Sequence, residues 1–166
     1  MPNLVMMCGI PASGKSTYIQ QGLDYTDFFN TGYTFLSTDN YIEEKAKKEG
    51  TTYNEIFDRT IKEATEEMNK LLEFAVQNNM SIVWDQTNLT PKVRQKKLKK
   101  IPEHYTKVAV YSNISLEEAM KRNRKRTGKV VPQRVLIQMH SVFVPPTEDE
   151  GFDKVIQFGE QHEMQS

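Results

Sequence analysis

The stretch GIPASGKST, Gly9–Thr17, decides the fold. Its spacing is G-x-x-x-x-G-K-S/T, the pattern of a loop that wraps a triphosphate. Gly9 leaves a strand in a tight turn, and Gly14 lets the backbone close round an anion where a Cβ would intrude. Successive backbone N–H groups turn into the loop, and a helix opening at Lys15 or Ser16 aims its positive end at the same point. The Lys15 ammonium serves the β and γ phosphates, and the Ser16 hydroxyl serves Mg²⁺. A Gly/Ser-rich turn can match this pattern by chance, so the flanks matter. Leu4–Cys8 before it is a continuous apolar run, and Ser16–Gln21 after it suits a helix. That strand–loop–helix setting is what the motif requires. The spacing predicts a nucleoside-triphosphate site, with ATP as donor and Gly9, Ala12, Ser13, Gly14, Lys15, Ser16 and Thr17 around it.

The 166 residues are expected to form a single domain, 1–166, with a sizeable core. Charged residues make up 27% of the chain and its mean hydropathy is −0.64, which suits a solvated surface. No apolar run approaches a membrane span, and Met1–Ile10 lacks the basic leading region of a signal peptide. The lone Cys8 reads as a small buried hydrophobe. A cytoplasmic location is the expectation, or host cytoplasm for a phage protein. Net charge is zero, but the cations are clustered: Lys92–Lys100 and Lys121–Lys129 each carry six of the 22 Lys and Arg.

Strands are predicted at Leu4–Cys8, Tyr33–Leu36, Ser81–Trp84, Lys107–Tyr111 and Lys154–Phe158. Between them, helical spacing resumes at Tyr41 and stops at Gly50. A seven-turn amphipathic helix lies within Thr51–Met80, its stripe from Tyr53 through Ile56, Phe57, Thr60, Ala64, Met68, Leu71 and Leu72 to Ala75 reading as packing. Thr90-Pro91 and Ser115–Glu118 are helix starts, and Pro132 opens another helix to about Val142. The segments 24–32 and 159–166 read as irregular or fraying. Alternating strands and helices predict an α/β fold: a parallel five-stranded sheet flanked by helices, with a basic lid.

Ligands of such sheets sit at the C-terminal ends of the strands. Besides the phosphate loop, Ser37-Thr38-Asp39 and Asp85-Gln86-Thr87-Asn88 lie there. A hydroxyl acceptor needs a carboxylate to orient it and take its proton, which nominates Asp39 and Asp85. Asp39 could instead cap a helix starting near Asn40, Asp85 could hold Mg²⁺ through water, and Thr87 and Asn88 could be turn formers. KRNRKRTGKVVP reads as either a solvated helix end or a lid whose arginine stabilises the transferring group. Composition does not rank Arg122, Arg124 and Arg126. The Lys92–Lys100 window is as well explained by a solvated helical face as by contact with a phosphate backbone.

Five segments in order resemble the 5′-kinase domain of polynucleotide kinases of bacteriophages and animals: GIPASGKST, LSTDNY, VWDQTNLTPKVR, KRNRKRTGKVVP and FVPPTEDEGFDKVI. The resemblance spans nearly the whole chain. It implies ATP- and Mg²⁺-dependent phosphorylation of a 5′-hydroxyl end of DNA or RNA, in repair or end-healing. Lys15 and Ser16 would bind phosphate and metal, Asp39 would be the general base, and Arg126 the lid arginine. Arg122 of the same basic window is expected on the donor. Asp85, Thr87, Asn88 and Arg94 would contact the acceptor or support the site. The chain departs from the family at Thr38, where an Arg precedes the catalytic Asp, and at Ile42, where the phage enzyme has an Arg for the acceptor's phosphate. STDNY also resembles a segment of related P-loop kinase domains. No D-x-D-G-T phosphatase or K-x-D-G ligase signature is present, so a stand-alone module is expected, with nucleic acid as substrate and no membrane or obligate protein partner. The competing readings are a P-loop kinase for a small molecule or nucleoside, and an ATP-binding module without turnover.

Overall fold

The computed structural model describes residues 1–19 and 32–159. The expected helix stop at Gly22, most of the segment 24–32 and the tail from 160 lie outside them.

Five strands, β1 (Asn3–Cys8), β2 (Thr34–Leu36), β3 (Ile82–Asp85), β4 (Thr106–Ser112) and β5 (Lys154–Phe158), form one sheet in the order β2-β3-β1-β4-β5. All four pairings are parallel. The central strand explains its own sequence. Leu4, Met6 and Cys8 join one apolar cluster, Val5 and Met7 another, and all five are buried. A strand covered on both faces reads as an unbroken apolar run. Burial also pushes the Cys8 thiol up to about 12, so it behaves as the hydrophobe its position suggests.

Helices cover the sheet. The first, α1, is helical over 15–19 within the described residues. Next come α2 (Thr38–Glu49), α3 (Tyr53–Gln77), α4 (Pro91–Leu98), α5 (Leu116–Arg124) and α6 (Gln133–Val142). A 3-10 turn, Glu148–Glu150, precedes β5. The long α3 has two jobs. Met68, Leu72 and Ala75 pack on the sheet face of Leu4 and Met6, while Ile56 and Ala64 hold Ile42 and Ala46 of α2. Its expected stripe is right except at Leu71, which is 46% exposed.

The start of α2 differs from expectation. It begins at Thr38, because Ser37 is the cap and accepts from the Asn40 N–H at 3.2 Å. Asp39 therefore lies in the first helical turn with its carboxylate free for other partners. The remaining caps follow the sequence. Thr90 accepts from Val93 N–H, with Pro91 opening α4, and Ser115 accepts from Glu118 N–H.

Ile42 is fully buried. The position where the phage enzymes carry an arginine is here part of the α2–α3 contact and reaches no ligand. Ile42→Ala is expected to lower the unfolding free energy by about 2–5 kcal/mol, as large-to-small core changes do. Denaturant unfolding checks this; a change below about 0.5 kcal/mol would contradict the packing described.

Candidate functional site

The strands β1 and β3 release their chains side by side. In register, Met7 pairs with Asp85, and beyond them the Gly9 N–H donates to the Thr87 carbonyl at 2.8 Å. The phosphate loop and the Asp85–Asn88 segment are thus one unit at the C-terminal edge of the sheet, next to the switch point where the connections leaving β1 and β4 run to opposite sides.

The loop has the geometry of an anion cradle. Gly9 and Gly14 have φ of +149° and +93°, and a Cβ on Gly9 would come within 3.0 Å of Ser13 Oγ. The Lys15 ammonium turns back onto the Gly9 carbonyl at 2.7 Å. Burial lowers the Lys15 pKa, while the carboxylates of Asp85 and then Asp39 oppose that fall. Conversely, burial raises the Asp85 pKa, with Lys15 pulling it down and Asp39 pushing it up. Lys15, Asp85 and Asp39 therefore form one electrostatic group.

These residues line a cleft of about 1570 Å³. Ala12, Ser13, Gly14, Lys15, Ser16 and Thr17 line its floor, Asp39, Asp85 and Thr87 one wall, and Arg122, Arg126 and Lys129 the lid side. Two buried donor-bearing atoms on it, Ser13 Oγ and Arg126 Nη1, have no protein hydrogen-bond partner. Buried polar groups are nearly always satisfied, so unsatisfied donors beside a P-loop suit a phosphate ligand. The arginines are now ranked. Arg122 and Arg126 line the cleft, with Arg122 Nη1 3.4 Å from where a Gly14 Cβ would stand, and Arg124 does not. Among the described residues no group of three His, Cys, Asp or Glu could hold a metal by itself. A cation here would take Ser16 and Asp85 together with phosphate oxygens, which is how Mg²⁺ is commonly held. It would supply charge to the phosphates.

Arg94 and Asn88, expected to contact the acceptor or to support the site, take the second role. Arg94 is completely buried, with Nε 2.7 Å from Glu150 Oε1 and Nη2 3.1 Å from Oε2. Its Nη1 donates to the Asn88 carbonyl at 2.8 Å. Asn88 is buried too, in a left-handed conformation with φ 45°, and its Nδ2 donates to the Met7 carbonyl at 2.7 Å. Neither residue lines the cleft. They support it from beneath. Glu150 is the second Glu of FVPPTEDEGFDKVI, so the fifth resembling segment supplies the partner of Arg94.

The basic residues of α4 are mostly solvent-exposed, with Arg94 and Lys97 as the exceptions. The Lys97 ammonium contacts Gln86 Oε1 at 2.8 Å and Asn88 Oδ1, and lies 5.1 Å from the centre of the Trp84 ring. Gln86 Nε2 in turn donates to Thr38 Oγ1 at 3.3 Å. Thr38, at the position where the polynucleotide kinases that the chain resembles have Arg, is buried in this support.

Tyr53 and Lys129 were not legible as site residues. The Tyr53 hydroxyl donates to Asp39 Oδ1 at 2.6 Å, and Lys129 Nζ lies 3.3 Å from Asp39 Oδ2 and 2.9 Å from Glu43. Lys129 stood inside the lid window, but Tyr53 looked like one more member of an apolar stripe.

A sequence profile described as an AAA domain, AAA_33, matches residues 4–146. The chain belongs to this family. Its fold is shared with solved kinases. A gluconokinase from Sinorhizobium meliloti 1021 is 17% identical with a TM-score of 0.55, over 94% of this chain and 81% of that one. A protein assigned as a kinase from Chloroflexus aurantiacus J-10-fl is 17% identical with a TM-score of 0.63, over 99% and 91%. A chain of the Pnkp1/Rnl/Hen1 complex is 16% identical with a TM-score of 0.52, over 78% and 41%. These similarities establish a P-loop kinase-type fold. Among the described residues no helix is long and apolar enough to cross a membrane.

Two measurements check the support. Arg94→Ala is expected to cost about 3–5 kcal/mol of stability, because it leaves Glu150 buried and unpaired. A loss under about 1 kcal/mol with weakened acceptor binding would return Arg94 to the substrate contacts. Burial lowers the Lys97 pKa to about 8 from an ordinary 10.5. Its folded value lies below the unfolded one, so the penalty for burying the charge is full below pH 8. Stability from this group should rise as pH goes from about 8 towards 10.5. NMR titration of the Lys97 ε-methylene should show a midpoint near 8; an ordinary midpoint would contradict the burial.

Proposed function

We propose that the chain is an ATP- and Mg²⁺-dependent kinase that phosphorylates the 5′-hydroxyl end of a polynucleotide. The observation that carries the reading is a single cleft with the phosphate loop on its floor, Asp39 on its wall and Arg126 at its lid. In the proposed reaction the acceptor hydroxyl gives its proton to Asp39, and its oxygen bonds to the γ-phosphorus. The bond from that phosphorus to the β–γ bridging oxygen breaks, and ADP leaves. Lys15, Arg122 and Arg126 would hold charge on the phosphates, and Ser16, with Asp85 through water, would hold Mg²⁺. The five-segment resemblance supports the polynucleotide acceptor and a role in repair or end-healing.

A second reading has a specific observation behind it. Beyond the loop, the cleft is also lined by Phe57 and Ile61 of α3 and by Val135 and Met139 of α6, with Asp58 among them. Such a wall suits the flat or apolar body of a small acceptor better than a run of phosphates, and Ile42 offers no substitute for the missing arginine.

An acceptor screen separates the two. With γ-labelled ATP and Mg²⁺, the proposal expects label on 5′-hydroxyl oligonucleotides and less on a mononucleoside 3′-phosphate. Label only on mononucleosides or small polyols would replace the polynucleotide with a small acceptor. No label on any hydroxyl would leave an ATP-binding module.

A further inference from the structure

Asp39 is held on both sides by residues that the resemblance did not supply. On one side is Tyr53, at the first turn of α3. Burial, and next its hydrogen bond to Asp39, push its phenol well above the ordinary range, so the hydroxyl keeps its proton and is the donor of this bond. Its ring is half-buried and sits 5.5 Å from Phe57, which leaves the hydroxyl little freedom. On the other side is Lys129. Its side chain is only 19% exposed, and its ammonium is shared among Asp39 Oδ2, Glu43 and the Tyr53 ring face 5.2 Å away.

The position of Lys129 is not that of a loose surface lysine. Asn54, next to Tyr53, donates its backbone N–H to the Gly128 carbonyl at 3.2 Å and its side-chain amide to the Val130 carbonyl at 3.0 Å. These two bonds bracket Lys129. Gly128 has φ of +69°, and a Cβ there would come 3.3 Å from Thr52 Cβ, so the lid tip rests against the cap of α3. Behind it, Asn123 grips Val131 with both side-chain atoms, at 2.7 and 3.0 Å. The first turn of α3 therefore sets both the carboxylate and the cation that faces it.

We propose that Tyr53 is the positioning residue of the base, fixing Asp39 Oδ1 so that Oδ2 faces the acceptor, and that Lys129 occupies Oδ2 until the acceptor hydroxyl displaces it. The inference rests on the reading of Asp39 as general base. The two holds differ in strength, which is why one stays and one yields. The Tyr53 bond is short and part-buried. The Lys129 pair is longer and, with Asp39 48% and Lys129 19% exposed, is open to water on the Asp39 side, which weakens and screens it. An ionised carboxylate has lone pairs enough to accept from Tyr53 and from a substrate hydroxyl at once. Once displaced, Lys129 remains paired with Glu43, so its charge is not stranded.

The test is steady-state transfer from γ-labelled ATP to the best acceptor of the screen, comparing wild type with Tyr53→Phe, Lys129→Gln and Asp39→Asn. Tyr53→Phe keeps the ring, so thermal stability and the KM for ATP should hold. Its kcat should fall about tenfold to a hundredfold, the scale of a misplaced catalytic group. Lys129→Gln should lower the acceptor KM by about two- to fivefold, the worth of an exposed pair. Unchanged kcat in Tyr53→Phe, with Asp39→Asn inactive, overturns the positioning role and leaves the base intact. An acceptor KM that is unchanged or raised in Lys129→Gln overturns the displacement. Full activity in Asp39→Asn instead overturns the reading of Asp39 on which the inference rests.

Discussion

The 2.8 Å bond from the Gly9 N–H to the Thr87 carbonyl sits where β1 and β3 let go of their chains, and the site is arranged about it. It fixes the phosphate loop against the segment that carries Asp85. One bond between two loop backbones would not hold alone, and the residues beneath explain why it holds. Glu150 pairs with Arg94, Arg94 holds the Asn88 carbonyl, and the Asn88 amide holds the carbonyl of Met7, two residues before Gly9. Lys97 adds Gln86, and Gln86 reaches Thr38 beside Asp39. The phosphate loop, the Asp85 loop and the turn that carries Asp39 are tied through one polar layer.

Such a layer is not the most stable solution. Removing an ion pair from water is costly, and well-packed hydrophobic residues of similar volume are often as good. Hydrophobic residues could not satisfy the carbonyls of Met7 and Asn88, however, nor hold Asn88 in its left-handed turn. The polar layer trades stability for a fixed geometry at the strand ends, where a shift of about 1 Å would matter to phosphoryl transfer.

The fold was legible because its signals are local. The buried run Leu4–Cys8, the glycine spacing, the caps at Thr90 and Ser115 and the stripe of α3 each depend on residues close in sequence. The phosphate loop was legible for the same reason, since nine consecutive residues carry it. The rest of the cleft was not. Arg94 and Asn88 stood in a segment that resembled a substrate-binding one, and only the long-range contacts with Glu150 and Met7 turn them into supports. Ser37, not Asp39, takes the cap of α2, because with the helix starting at Thr38 the cap position falls one residue before it. Tyr53 was hidden by its own side chain: its ring belongs to an apolar stripe, and its hydroxyl meets Asp39 only after α2 folds onto α3.

The central claim is that a hydroxyl acceptor meets Asp39 across the phosphate loop. It is tested most directly by a crystal structure with a non-hydrolysable ATP analogue, Mg²⁺ and an acceptor. The account predicts the acceptor hydroxyl at about 2.6–3.2 Å from Asp39 Oδ2, Tyr53 still on Oδ1 and Lys129 moved away. A hydroxyl held by Asp85 instead, with Asp39 still paired to Lys129, would contradict it.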